Sequence, residues 1–264
     1  MQRKRIAALL AVVVAGASVA GVVAGVGKAR SGKQQAGYKI FLIPKFTGIP
    51  VFTLNNKGAQ QAAKKLGDKV TYNGPTTASA AAQVPFINTA AQQGYNGIII
   101  SADDPNAVAP ALKRAAQRGA KVVSYDADAA KSARTVYVSP PNAKTVGFNQ
   151  VDAVASQIGY KGKVAILSAA PTAANQNEWI KWMKIRLKQP KYRAIKLVKT
   201  VYGNDNDTKS AQEMQGLLQA YPDLKAVISP TSVGVVAAAR SSRRRRSARS
   251  SSRGSARRTR CART

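Results

Sequence analysis

Residues 96–128 read NGIIISADDPNAVAPALKRAAQRGAKVVSYDAD. Ile98 to Ile100 is an apolar run of strand length, and it ends on the polar residues Ser101, Asp103 and Asp104. From Ala107 to Arg118 the spacing is helical. Val108, Ala111, Leu112, Ala115 and Ala116 fall on one stripe, with Lys113, Arg114, Gln117 and Arg118 outside it, as in a surface helix that packs on a sheet. Gly119 stops this helix, and a second apolar run, Ala120 to Tyr125, ends on Asp126. Strand, helix and strand with turn signals between them form a βαβ unit, so the two strands run parallel.

The same unit recurs outward in both directions. YKIFLIPK (38–45) and KVTYNGP (69–75) precede it, and KVAILSAAP (163–171), IKLVKTVYGN (195–204) and KAVISPTS (225–232) follow. The helical stretch that closes on Gly58-Ala59-Gln60-Gln61-Ala62-Ala63-Lys64-Lys65-Leu66-Gly67 ends on a glycine of the C-cap kind. The fold class is therefore α/β, with parallel sheets buried on both faces by flanking helices. Ligands of such sheets bind beyond the carboxyl ends of the strands. Lys45, Asp103, Asp126 and Asn175 stand there.

The two ends are different material. Met1 to Arg5 is basic, and Ile6 to Gly27 is an unbroken run of apolar and small residues. It reads as a signal peptide or a membrane anchor, followed by a linker to residue 37, and it implies a periplasmic or other extracytoplasmic location. From Arg240 to Thr264 there are 11 arginines, no lysine, no acid and no aliphatic residue larger than alanine. Such a segment has nothing to bury, so residues 241–264 are expected to be a disordered Arg/Ser tail. The break at Arg240 is abrupt enough to suggest an out-of-frame reading of a GC-rich gene. As a functional alternative, the tail is a polyanion-binding element, since arginine clusters neutralise phosphates. It interleaves no aromatics for base stacking, which argues against a specific nucleic-acid partner.

The net charge of +31 is largely a property of the ends, and +13 remains on the body between them. The chain has no histidine, which excludes histidine triads, histidine metal ligands and histidine bases. Its single cysteine, Cys261, has no internal partner. No glycine-rich phosphate loop is present, and no cofactor or metal is expected. Asp103 and Asp104 are adjacent on a strand and point to opposite faces. Asp126 and Asp128 are able to converge, but capping of the next turn explains one of them equally well. The chain reads as a binding protein, not an enzyme.

Seven strings carry a family resemblance: IPKFTG, FTLNNKGAQQAAKKLG, VTYNGPT, INTAAQQGYNGIIISADDP, PALKRAAQRGAKVVSYDAD, ANQNEW and LLQAYPDLKAVISPTSVGVVAAAR. Their order and spacing over about residues 38–240 resemble the type I periplasmic sugar-binding proteins. Within these they are most similar to the substrate-binding components of rhamnose ABC transporters and to autoinducer-2 receptors of the Lsr type. The resemblance implies two α/β lobes that close on a sugar about a hinge crossed three times. The first lobe would occupy 38–138, and 139–240 would form a second lobe that is incomplete, with the first crossing near Thr135–Pro141. The chain thus resembles a C-terminally truncated copy.

The site that the resemblance implies comprises Lys45, Phe52, Asp103, Asp126, Asn175, Gln176, Pro230 and Ser232. Asparagine at 175 and serine at 232 stand where the autoinducer-2 receptors carry aspartate and alanine, which favours a sugar such as rhamnose. Carboxylates accept from vicinal hydroxyls, Lys45 donates with charge assistance, and the two amides do both. Phe52 offers an apolar wall, while Trp179 and Trp182 are expected to pack their helix instead of touching ligand. The implied partners are a rhamnose-like monosaccharide and an ABC permease, with the membrane touched only through the N-terminal segment. The alternatives are an autoinducer-2 receptor and the polyanion-binding tail.

Overall fold

A computed structural model describes residues 37–244. The signal or anchor segment up to residue 36 and the tail from residue 245 lie outside the described residues. The chain alternates as the apolar runs require: β1 (Lys39–Ile43), α1 (Pro50–Leu66), β2 (Lys69–Tyr72), α2 (Ala80–Gln92), β3 (Gly97–Ile100), α3 (Ala109–Gln117), β4 (Lys121–Tyr125) and β5 (Val136–Val138). It continues with α4 (Ala143–Gln157), β6 (Gly162–Ser168), α5 (Ala174–Leu187), β7 (Ile195–Tyr202), α6 (Asp207–Ala220) and β8 (Leu224–Ile228). A last helix, α7, follows over residues 232–244.

Two sheets result, in the strand orders β2-β1-β3-β4-β5 and β7-β6-β8. Every strand pairing in both is parallel. β5 belongs to the segment read from sequence as a crossing. It is a short strand first, in register with β4, and the chain then passes to α4 over residues 139–142. Three strands of the second sheet lie within the described residues, against five of the first.

The core follows the period of the strands. In β6, the central strand of the second sheet, Val164 and Ile166 enter one apolar cluster with Ile180, Met183 and Ile228. Ala165 and Leu167 enter another with Val201, Met214 and Leu217. Alternate side chains of one strand thus bury both faces, and each large apolar residue so placed contributes about 1.5–3 kcal/mol. The first sheet does the same. Phe41 and Ile43 of β1 join Ile98, Ile100, Leu112 and Val122 in its core. On α3, Val108, Ala111, Leu112 and Ala115 are buried as the stripe requires, but Ala116 is exposed. The helix is shorter than the apolar spacing suggested, and its stripe is correspondingly narrower.

Local signals fix the helix ends. Pro50 opens α1, and Gly67 closes it in the left-handed region at φ 76°. Asn142 and Asn206 cap α4 and α6 by accepting backbone N–H groups. α4 and α5 cross closely at Gly147, where a Cβ would lie 2.6 Å from the Trp179 carbonyl oxygen. The helix after β8 does not stop at Arg240, where the composition changes. It runs on through residue 244, Ser241 is buried, and Arg240 pairs with Asp207 at 3.6 Å. Arginine is a good helix former, so the first residues of the expected tail prolong the helix.

Arg186 of α5 donates twice to Asp152 of α4, at 2.9 and 2.7 Å, and the Tyr192 hydroxyl donates to the same carboxylate. The hydrogen bond from Arg186 holds the Asp152 carboxyl below its ordinary value of 3.8. A carboxylate with a lowered value stabilises the fold above the unfolded value and loses that contribution as pH falls through the folded one. Asp152→Asn is therefore expected to be less stable than the native chain at pH 7, with the gap closing below about pH 4. Urea midpoints at both pH values measure this; a gap independent of pH would show that the charge is immaterial.

Candidate functional site

The carboxyl ends of β1, β4, β7 and β8 and the first turns of α1 and α5 enclose a cavity of about 130 Å³. Seven of the eight residues expected at the site line it: Lys45, Phe52, Asp126, Asn175, Gln176, Pro230 and Ser232. Asp103 does not. Its carboxylate turns to the backbone N–H of Ala80 at the start of α2, within electrostatic reach of Lys45. Burial raises its pKa, and Lys45 opposes that rise. The four carboxylates weighed as pairs separate. Asp104 accepts from the N–H groups of Asn106 and Ala107, a turn cap. Asp128 accepts from Ser124 and forms a bidentate pair with Arg134 at 2.7 and 2.8 Å.

Asp126 joins the two sheets' sides of the cavity. Its Oδ2 accepts from the Ser101 hydroxyl at 2.8 Å, and its Oδ1 accepts from Asn175 Nδ2 on α5 at 2.9 Å. The Tyr137 hydroxyl of β5 donates to its backbone carbonyl. Asp126 takes the left-handed conformation at φ 55°, uncommon for a residue with a side chain. Such conformations persist where the surroundings over-determine them, which is common in binding sites.

Gln176 is committed on one side only. Its Oε1 accepts from the Ser168 hydroxyl at 2.7 Å and from the Ala169 N–H at 2.9 Å. Its Nε2 is thereby turned outward as a donor. Lys45 is 3% exposed. Among the described residues its ammonium has neither a hydrogen bond nor an ion pair, and Asp103 and Asp205 act on it only through space. The stem of Lys45 is buried while its ammonium is left as a free donor at the cavity.

One buried side chain sets the strand tips. Gln83 of α2 donates through Nε2 to the carbonyls of Pro44 and Ser101, at 2.9 and 2.8 Å, and accepts the Asp103 N–H at 3.0 Å. It thereby fixes the backbone just before Lys45 and around Asp103. Nothing in the local sequence marks it, because its partners lie 18, 20 and 39 residues away.

Six further residues line the cavity, Phe46, Ile49, Val51, Trp179, Asp205 and Thr231, and of these the sequence reading covers only Trp179, expected there to pack its helix. Trp179 packs against the core of the second sheet, as its helical spacing suggested, and also borders the cavity. Phe52 is buried and stacks edge-on between Phe46 and Tyr125, with ring centroids 6.0 and 6.4 Å apart. It is a core residue and a cavity wall at once. A larger groove of about 890 Å³ shares Phe46, Ile49, Asp205 and Ser232 with the cavity as a common wall.

Two compact parallel sheets with a polar cavity at their facing strand ends define a class, and comparison with known proteins places the chain in it. Residues 40–249 match the periplasmic binding protein domain, and the chain belongs to that family. Its fold is that of the type I periplasmic binding proteins. Its relatives are solute-binding proteins of sugar ABC transporters. A sugar ABC transporter protein from Actinomyces odontolyticus is 47% identical, with a TM-score of 0.56 over 77% of this chain and 66% of that one. A solute-binding protein from Clostridium phytofermentas with bound L-rhamnose is 34% identical, with a TM-score of 0.75 over 78% of this chain and 64% of that one. The ribose import binding protein RbsB of Bacillus subtilis is 29% identical over 69% of this chain. The chain spans 60% of the length of that curated relative.

Proposed function

We propose that the chain is an extracytoplasmic solute-binding component that delivers rhamnose, or a closely related neutral monosaccharide, to an ABC permease. The observation that carries this reading is the buried, unpartnered Lys45 facing carboxylates and amides across a small cavity. One cation and the carboxylate of Asp126, together with the Gln176 donor and the Asn175 amide, suit a molecule with several hydroxyls and no charge. Phe52 and Trp179 supply apolar surface for the C–H face or methyl group of a sugar. The cavity is smaller than the roughly 300–1,000 Å³ of drug-sized pockets, in keeping with a single sugar ring. The L-rhamnose complex of the Clostridium phytofermentas relative supports the choice of sugar.

Autoinducer-2 is the second reading, because LsrB from Clostridium saccharobutylicum in complex with AI-2 is 31% identical over 78% of this chain. Asn175 and Ser232 argue against it on the residue pattern. A thermal-shift panel of L-rhamnose, D-ribose, D-arabinose and autoinducer-2 separates the two. A ligand present at about a hundred times its Kd adds about 2.7 kcal/mol to stability and raises the midpoint visibly. A shift with L-rhamnose and none with autoinducer-2 is expected. The reverse pattern would replace this reading with the second, and no shift with any of the four would remove both.

A further inference from the structure

Asp205 is a cavity-lining carboxylate that neither the sequence reading nor the proposal above employs. It stands just after β7, lines the cavity together with Lys45, and borders both the cavity and the larger groove. One carboxylate oxygen, Oδ1, accepts from the Thr231 hydroxyl, which fixes the direction of the side chain. The other has no hydrogen bond among the described residues.

The backbone there is held as firmly as at Asp126. Asn204 and Asp205 are both left-handed, at φ 52° and 48°. Gly203 before them packs so tightly on Ser210 that a Cβ would meet the Ser210 hydroxyl at 2.1 Å. The Gly203 and Asn204 N–H groups are tied to the carbonyls of Ser168 and Ala169, both at 2.8 Å. Burial pushes the carboxyl up, while the Thr231 hydrogen bond and Lys45 act against that. Lys45 has no direct partner, and Asp205 is one of the two acids that act on it through space. A hydroxyl group lying between them would accept from the ammonium and donate to the carboxylate, satisfying both.

We propose that Asp205 is a specificity-determining ligand residue, accepting one particular hydroxyl of the bound sugar from the side of the second sheet. This rests on the reading of the cavity as a monosaccharide site. It adds an acceptor that discriminates between sugars differing at that one carbon, because a site built for a hydroxyl leaves its polar groups unpaired when the hydroxyl is missing.

The test is calorimetric titration of the full chain with L-rhamnose and its monodeoxy derivatives, using the native protein and Asp205→Asn. Asparagine keeps the size, tolerates the left-handed backbone, and retains a carbonyl for Thr231. L-rhamnose affinity is expected to fall at least tenfold in Asp205→Asn. For one deoxy derivative, the one lacking the hydroxyl concerned, native and variant affinities should coincide. An unchanged L-rhamnose affinity would overturn the proposal. So would an equal loss for every derivative, which would mark Asp205 as a structural residue. Absence of L-rhamnose binding to the native chain would instead remove the rhamnose reading, and this proposal with it.

Discussion

Replacement of Gln83 by leucine should destabilise the fold by about 3 kcal/mol. Leucine is close enough in size to fill the site, so the loss is polar. The carbonyls of Pro44 and Ser101 and the N–H of Asp103 lose their partner together. Each buried group left unsatisfied costs about 1–3 kcal/mol. The gain from burying a leucine in place of an amide offsets part of this, about 1.5–3 kcal/mol at most, since Gln83 is already fully buried. Urea denaturation of the full chain measures the difference through its midpoint. A midpoint within error of the native protein would show that the strand tips hold their geometry without Gln83. Any variant that still folds should also bind sugar poorly, because the backbone just before Lys45 is no longer held in register.

The second large effect falls on binding. Asp126→Ala should weaken monosaccharide affinity by a factor of roughly ten to a hundred, or about 1–3 kcal/mol, as acceptors for the ligand and for Asn175 disappear together. Alanine is also poorly suited to φ 55°, so part of the loss would come from a shifted backbone. Asp126→Asn separates the two effects. It tolerates the left-handed conformation but halves the acceptor capacity, so it should retain native stability and still bind weakly. Native affinity in both variants would take Asp126 out of the site.

The fold was legible because parallel strands buried on both faces write themselves as continuous apolar runs, as in Ile98–Ile100 and Val164–Leu167. β5 was less legible. Its residues alternate in exposure at the sheet edge, and the prolines after it dominate the local pattern. The continuation of α7 past Arg240 was hidden by composition, since an Arg/Ser stretch resembles a tail until a buried serine shows that it packs. Of the cavity, the residues at strand tips within family-like strings were readable: Lys45, Asp126, Asn175, Gln176, Pro230 and Ser232. Asp205 was not, because GNDND reads as an ordinary turn and its hydrogen-bond partner Thr231 is 26 residues away. Asp103 looked equivalent to Asp126 at the end of a neighbouring strand. Its side chain instead turns to the start of α2, a direction that depends on tertiary packing and not on spacing.

The cavity as the seat of a monosaccharide is tested most directly through its own fluorophore. The chain has two tryptophans, and Trp179 lines the cavity while Trp182 does not. In Trp182→Phe, emission therefore reports on the cavity wall alone. Titration with L-rhamnose should change it saturably, with the same midpoint as the heat of binding measured on the same protein. Heat of binding with unchanged Trp179 emission would contradict the assignment and place the sugar elsewhere on the chain.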